Sequence, residues 1–248
     1  MEKVVGFFGG DHQTGTTMIA WSFAERLSET GRRVLLLFCS GSNDQSFIAG
    51  ENGQSIDNLK AALRSGRVER EDLFQCLEKR KGLWILPGTK NSLAAGYFLE
   101  NTLQILLEGV DDTFDIVVVD GGSDLRLGLT ISALNVCCYR YFVVTQQAKC
   151  IHRYLQKREY LLGPFGLDGQ VILNQYRKDP SLLLRKDVCR ILGLEKVTVV
   201  PFVEGGWQAE MDQKNLRGTP RFAKAVDGLV TAFTGEEKKV RKWKKSLT

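Results

Sequence analysis

The sequence predicts an α/β protein with three layers, in which a mostly parallel β-sheet is covered by helices on both faces. Short apolar runs rich in β-branched and aromatic residues alternate with amphipathic stretches along most of the 248 residues. That alternation is expected of a parallel sheet whose strands are joined by crossover helices. The apolar runs also lack polar alternation, which is typical of strands buried on both faces.

Seven strands and seven helices account for this alternation. The predicted strands span residues 4–8, 34–38, 83–86, 116–119, 141–144, 171–173 and 197–200. The predicted helices span residues 17–30, 56–65, 70–79, 97–108, 148–162, 181–192 and 221–233. We expect Ser55 to cap the second helix and Pro180 to begin the sixth. Sheets of this kind bind ligands beyond the carboxyl ends of their strands, so the segments that follow the strands are candidates for the site.

The positive charge of the chain is concentrated at its end. Residues 236–248 hold six Lys/Arg and two Glu, a net charge of +4, whereas the whole chain carries +5. The first 235 residues therefore carry only +1, which argues against a broad nucleic-acid-binding surface on them. We expect one domain over residues 1–235 and a basic amphipathic tail over residues 236–248.

The composition excludes several classes of protein. No stretch without a charged residue exceeds 13 residues, the length of 127–139, and a membrane-spanning helix needs about 20. Six cysteines without a C-x-x-C pair and only two histidines argue against a Cys/His zinc site. Buried free thiols in the reducing cytosol are the simpler interpretation, so we expect a cytoplasmic protein.

The segment after the first strand carries the main candidate site. Gly10, Gly15 and Thr17 match three of the four fixed positions of the phosphate-loop pattern G-x-x-x-x-G-K-[ST], and Thr16 stands at the lysine position. In such a loop, glycines let backbone N–H groups turn around an anion, and the next helix directs its positive end there. The alternative is a glycine turn that only joins strand to helix. We call residues 10–17 the glycine loop.

The glycine loop and several later segments resemble the MinD/ParA family of P-loop ATPases. Members carry a deviant loop of the form KGGxGKTT after the first strand, and the corresponding stretch here is DHQTGTT, residues 11–17. The other segments are RRVLLLF, TFDIVVVDGG with Asp120, VILNQYRKD with Asn174, and VTVVPF followed by Ala209 and LRGTP. The resemblance extends over residues 3–233 and implies the fold of that family.

The resemblance implies a site for ATP or ADP with Mg²⁺. Binding is expected to be weak, and its complete loss is the alternative. Thr17 and Asp120 are expected to hold the metal, and Asn174 corresponds to the residue that contacts adenine. Arg126 is a candidate substitute cation, with a solvated arginine as the alternative, and His12 is an anion donor or a surface histidine. The expected nucleotide-binding residues are Gly10, Asp11, His12, Gln13, Thr14, Gly15, Thr16, Thr17, Asp120, Arg126 and Asn174.

Within the family, two features are similar to the CpaE/TadZ pilus-assembly branch. The loop ends in Gly15–Thr16–Thr17, as in members of that branch that replace the lysine by a small residue. Residues 55–88 resemble the helix–helix–strand insert of the same branch. The resemblance therefore implies a role in a pilus or secretion system.

Three departures from the family pattern concern catalysis. The signature lysine of the family falls at Asp11, the second lysine position is Thr16, and the D-x-D switch segment reads Phe38-Cys39-Ser40. Phosphoryl transfer depends on positioning and on neutralising phosphate charge. We therefore expect hydrolysis to be absent or very slow, assign no catalytic residue, and leave open whether the protein is an enzyme.

These observations lead to three functional hypotheses. The first is a degenerate nucleotide-binding positioning or assembly factor with a protein partner, and a homodimer remains open. The second is a slow Mg²⁺-dependent ATPase that uses a substitute cation, and the third is a DNA-partition-like protein. Val240, Trp243 and Leu247 form a thin apolar stripe in the tail, which favours peripheral binding to the anionic inner face of the membrane. A solvated tail or nonspecific nucleic-acid contact is the alternative.

Overall fold

The protein is built on one eight-stranded sheet. A computed structural model describes the backbone of residues 4–41, 53–110, 112–212 and 214–245, and the side chains of these residues except 94, 207, 210 and 236–245. The strands are β1 (Val4–Gly9), β2 (Val34–Phe38), β3 (Glu78–Arg80), β4 (Leu83–Leu86), β5 (Ile116–Gly122), β6 (Tyr139–Val144), β7 (Gln170–Tyr176) and β8 (Thr198–Pro201). Their spatial order is β3-β4-β2-β5-β1-β6-β7-β8. All neighbours pair in parallel except β3 and β4, which are antiparallel.

Helices cover both faces of this sheet. They are α1 (Thr16–Ser28), α2 (Lys60–Ser65), α3 (Arg70–Cys76), α4 (Thr102–Glu108), α5 (Gly128–Val136), α6 (Ala148–Lys157), α7 (Arg185–Leu192), α8 (Gly206–Met211) and α9 (Pro220–Lys245). The side chains of α1 and α9 pack on one face of the sheet. Those of α2 to α7 pack on the other face. The predicted three-layer architecture is thereby confirmed.

Aromatic residues organise the core under α1. The rings of Phe7 and Tyr141, on neighbouring strands, stack with centroids 5.1 Å apart. Phe23 of α1 packs edge-on against Phe7 at 5.0 Å. Phe233 of α9 contacts Phe23 in turn at 5.6 Å. This cluster fixes α1, and with it the glycine loop that precedes α1, on the first strand.

The seven predicted strands are confirmed to within a few residues, and Ser55 is confirmed as a cap, here of a 3₁₀ turn at Ile56–Leu59. Pro180 is wrong as a helix start, because α7 begins only at Arg185. The predicted helix over 97–108 is a 3₁₀ turn at Ser92–Tyr97 followed by α4, and that over 148–162 is α6 followed by a π turn at Arg158–Leu162.

Three elements were missed by the sequence patterns. Strand β3 lies where the helix over 70–79 was expected to continue, and α3 ends at Cys76. Helix α5 falls in the stretch without charges, where apolar and small residues occur all round the helix and leave no clear period of 3.6. Helix α8 has only six residues. A short or fully apolar helix gives little amphipathic signal.

The end of the chain differs from the prediction in its backbone. Helix α9 does not end at residue 233 but continues through Lys245. The side chains of 236–248, including the stripe of Val240, Trp243 and Leu247, lie outside the described residues. Within the described part of the chain, none of the helices combines the length and hydropathy that a membrane span needs.

Candidate functional site

The glycine loop lies between β1 and α1 and is fixed on β6. The N–H of Gly10 donates to the carbonyl of Val143 at 2.8 Å. A Cβ atom at Gly10 would lie 2.7 Å from Cγ1 of Val144 and 3.1 Å from Cβ of Tyr154 in α6. The loop can approach β6 and α6 this closely only because Gly10 has no side chain. Further along, Gly15 has a φ of 78°, a conformation that favours glycine.

Thr17 and Asp120 meet beside the loop. Thr17 Oγ1 donates to Asp120 Oδ2 at 2.6 Å, and the backbone N–H of Gly122 donates to Asp120 Oδ1 at 3.3 Å. Asp120 is completely buried at the carboxyl end of β5. Burial raises the pKa of Asp120 to about 6, although the two hydrogen bonds oppose the shift. Hydroxyl and carboxylate oxygens are ligands that suit Mg²⁺, so the residues present fit this ion.

Asn174 braces the loop from β7. Its Nδ2 donates to the carbonyl of Thr14 at 2.7 Å, and its side chain is buried. A Cβ atom at Gly15 would lie 2.5 Å from the same Nδ2. Thr16, at the lysine position, is also buried, and its Oγ1 lies 2.9 Å from Thr14 Oγ1. The side chains of Asn174 and Thr16 therefore both form hydrogen bonds to Thr14 of the loop.

Asp11 is held by a cation from a distant part of the chain. Arg153 Nη1 of α6 donates to Asp11 Oδ1 at 2.5 Å, and the N–H of His12 donates to the same oxygen at 2.7 Å. Burial raises the pKa of Asp11, but the hydrogen bonds and charge of Arg153 outweigh burial, so that the pKa lies below its usual value. The carboxylate at the position of the signature lysine is thus ionised and neutralised by Arg153.

Lys157 lies one turn beyond Arg153 on α6 and joins the end of β1 to the segment after β5. Its Nζ donates to the carbonyl of Gly9 at 3.0 Å and to the carbonyl of Ser123 at 2.6 Å. Burial lowers the pKa of Lys157, although the charge of Asp11 opposes this shift. The Oγ of Ser123 also lies 3.0 Å from Nδ1 of His12. Two side chains therefore tie the loop region to Ser123.

The sequence interpretation missed Arg153 and Lys157. A usable signal existed, because the two cations stand four residues apart on an amphipathic helix that follows a strand next to β1. The pairing of Arg153 with Asp11 spans 142 residues, and no local pattern indicates it.

The side chain of Arg126 pairs with Asp124 rather than with the glycine loop. Its Nε and Nη2 donate to the two carboxylate oxygens of Asp124 at 2.9 and 2.8 Å, and its side chain is 87% exposed. The hydrogen bond from Arg126 lowers the pKa of Asp124 to about 2. In this structure the two charges cancel each other.

The segment after β2 that corresponds to the D-x-D switch reads Phe38-Cys39-Ser40 and has no carboxylate. The N–H of Cys39 donates to the carbonyl of Asp120 at 2.8 Å, which fixes Cys39 beside the candidate metal residue. Cys39 is buried, and burial raises the pKa of its thiol. Ser40 and Gly41 follow, while residues 42–52 lie outside the described part of the chain. The described segment thus brings no carboxylate of its own to the site.

The chain matches no model of a known protein family and no curated protein at the level of sequence. Its fold matches a chain of the MinC:MinD cell division protein complex from Aquifex aeolicus with a TM-score of 0.74 and 20% identity, covering 94% of this chain and 96% of that one. It matches MinD from Pyrococcus horikoshii, complexed with Mg-ADP, with a TM-score of 0.75 and 17% identity over 92% and 94%. A putative plasmid partition protein from Borrelia burgdorferi, bound to AMPPNP, matches with a TM-score of 0.76 and 15% identity over 94% and 99%. The chain therefore has the α/β fold of the MinD/ParA-like P-loop ATPases.

Proposed function

We propose that this protein binds ATP or ADP with Mg²⁺ and acts as a positioning or assembly factor, with hydrolysis lost or very slow. The observation that carries the proposal is the contact of 2.6 Å between Thr17 Oγ1 and Asp120 Oδ2 at the end of the glycine loop. A threonine at the helix start and an aspartate at the end of the adjacent strand are the pair that holds Mg²⁺ in P-loop proteins. The likeness to chains complexed with Mg-ADP and AMPPNP supports the same ligand class.

The residues around this pair support binding without turnover. When bound, Mg²⁺ would neutralise negative charge on the phosphates. Thr17 and Asp120 would hold the ion, and the loop backbone would surround the phosphates. Cys39 and Ser40 offer no carboxylate to orient a water, and Asp11 offers no cation to the nucleotide of a second copy. Asn174, which corresponds to the residue that contacts adenine, donates to the carbonyl of Thr14.

The role in positioning or assembly rests on the kinds of protein that share the fold. The matched chains include one from a cell division complex with MinC and one named as a plasmid partition protein. The similarity of residues 55–88 to the CpaE/TadZ branch favours a pilus or secretion system and a protein partner. The basic residues 236–248 favour attachment to the anionic inner face of the membrane, with the rest of the protein in the cytoplasm.

Calorimetry with ADP and ATP, with and without Mg²⁺, tests the nucleotide site. We expect binding that depends on Mg²⁺ and is weakened at least tenfold by Thr17→Ala. The matched control is Thr231→Ala, on an exposed position of α9. Absence of binding at millimolar nucleotide would contradict the proposed site. Measurable Mg²⁺-dependent turnover of ATP that is abolished in Arg126→Ala would instead support the slow-ATPase hypothesis.

Sedimentation with vesicles tests the membrane part of the proposal. We expect the full chain to sediment with vesicles of anionic phospholipid and a chain ending at residue 235 to stay in the supernatant. Equal sedimentation of both chains would exclude the tail as the attachment. Salt-sensitive binding of the shortened chain to duplex DNA would favour the DNA-partition hypothesis instead.

A further inference from the structure

We propose that helix α6 supplies the positive charge of the phosphate site, with Lys157 as the cation for the phosphate chain and Arg153 as the neutraliser of Asp11. This inference rests on the proposed function, because it names the residues that make the nucleotide site attractive to a polyanion. It replaces the simpler view that the site lost its charge with the two loop lysines.

The packing of α6 on the loop allows side chains of α6 to supply this positive charge. Gly10 contacts α6 so closely that a Cβ atom there would lie 3.1 Å from Cβ of Tyr154. Arg153 and Lys157 flank Tyr154 and stand four residues apart, so both side chains leave the same face of the helix. One reaches Asp11 inside the loop, and the other reaches Gly9 just before the loop.

Lys157 retains hydrogen-bonding capacity where it lies. An ammonium group has three donors, and two of them are used by the carbonyls of Gly9 and Ser123. Among the described residues, no carboxylate forms an ion pair with Lys157. The carboxylates of Asp11 and Asp124 act on Lys157 only from a distance and are themselves paired with arginines, so this half-buried ammonium group is incompletely compensated. A phosphate oxygen would supply both the third acceptor and the missing negative charge.

The other charges near the loop leave this cation in excess. Arg153 and Asp11 cancel, and Arg126 and Asp124 cancel. Asp120 lies behind Thr17, where a bound Mg²⁺ would compensate it. Lys157 thus contributes one net positive charge, which is what a single loop lysine would provide. Because this charge acts on phosphates, the inference concerns the phosphate chain of the ligand and not its base.

The test compares Lys157→Met with Lys149→Met. Both variants remove one positive charge from α6, but Lys149 is exposed and has no described contact with the loop. Calorimetry in Mg²⁺ uses two probes, ADP and inorganic triphosphate, so that a nucleotide site and a general polyphosphate site can be told apart. We expect Lys157→Met to weaken ADP binding at least tenfold and Lys149→Met less than threefold, since a hydrogen bond to a charged group is lost only in the first.

Two further variants separate charge from structure. Lys157→Arg keeps the charge and is expected to keep most of the affinity. Thr16→Lys, added to Lys157→Met, returns a cation to the loop and is expected to restore binding to within threefold of the wild type. Thermal unfolding of each variant monitors the fold.

Each outcome is decisive. Equal weakening by Lys157→Met and Lys149→Met would overturn the inference and leave the proposed function intact. Loss of affinity with a lowered Tm that Thr16→Lys does not restore would give Lys157 a purely structural role, which also overturns the inference. If the wild type binds neither probe, the nucleotide part of the proposed function fails first, and this inference falls with it.

Discussion

Replacing Asp120 by Asn should stabilise the protein in the absence of Mg²⁺. Asp120 is fully buried, and burial raises its pKa from 3.8 to about 6. Above pH 6 the folded state must hold a buried negative charge that the unfolded state exposes to water. The corresponding loss of stability builds up as the pH rises from about 4 to about 6. At about 1.4 kcal/mol for each pH unit, it reaches about 3 kcal/mol at pH 7.5.

Asn is a suitable replacement because both hydrogen bonds survive. The amide oxygen accepts from the N–H of Gly122, and the amide nitrogen donates to Thr17 Oγ1 in place of the present arrangement. We therefore expect Asp120→Asn to raise the free energy of unfolding at pH 7.5 by up to about 3 kcal/mol, which is a Tm increase of about 6–12 °C for a chain of this size.

Thermal unfolding in chelator at pH 7.5 and pH 4 measures this effect. The gain should be largest at pH 7.5 and should shrink towards zero near pH 4, where the carboxyl of Asp120 is neutral in the folded state. Asp112→Asn, at an exposed position, serves as the control and should change Tm little. An unchanged or lower Tm of Asp120→Asn at pH 7.5, or a gain that persists at pH 4, would refute the argument. Mg²⁺ should raise the Tm of the wild type and leave that of Asp120→Asn unchanged.

Three other substitutions test the geometry around the glycine loop. Gly10→Ala should lower the free energy of unfolding, measured by denaturant titration, by about 1–3 kcal/mol, because its Cβ would lie 2.7 Å from Val144. The control is Gly228→Ala, in open space on α9, which should raise the free energy of unfolding by about 0.5–1 kcal/mol. Asp11→Asn should tighten ADP binding about fivefold in calorimetry by freeing the positive charge of its partner, and weaker binding would contradict that electrostatic picture. Asn174→Ala should lower the free energy of unfolding by about 1–3 kcal/mol, because the buried carbonyl of Thr14 loses its hydrogen-bond donor. The rate of amide hydrogen exchange at residues 11–16 should rise, and unchanged protection would show that this contact does not brace the loop.

The fold was accessible from the sequence because its signals are local. Buried parallel strands give short apolar runs such as VLLLF, and this run has the same bounds as β2, Val34–Phe38. The contact of Thr17 with Asp120 follows from register, since β1 and β5 are neighbours and Phe7 lies opposite Asp120. Where neighbouring strands are known from the fold, residues at the ends of those strands can be placed close together from the sequence alone.

The electrostatics of the site were not accessible in the same way. The ion pair of Arg153 with Asp11 and the two hydrogen bonds of Lys157 join segments more than 30 residues apart. They depend on how closely α6 approaches Gly10, which is a matter of packing and not of periodicity. The orientation of Arg126 towards Asp124 likewise depends on a side-chain rotamer. A count of the charged residues within the loop therefore leaves out the positive charges that α6 brings next to it.

The two outermost strands of the described sheet have a consequence for association. At one margin β3 is only three residues long and reads Glu-Lys-Arg, and at the other β8 ends in Pro201, which has no N–H to offer. Short, charged or proline-bearing margins discourage a foreign strand from joining a sheet. These edge strands therefore disfavour the addition of a strand from another molecule. Partners are expected to bind the helical surfaces and the connecting loops instead.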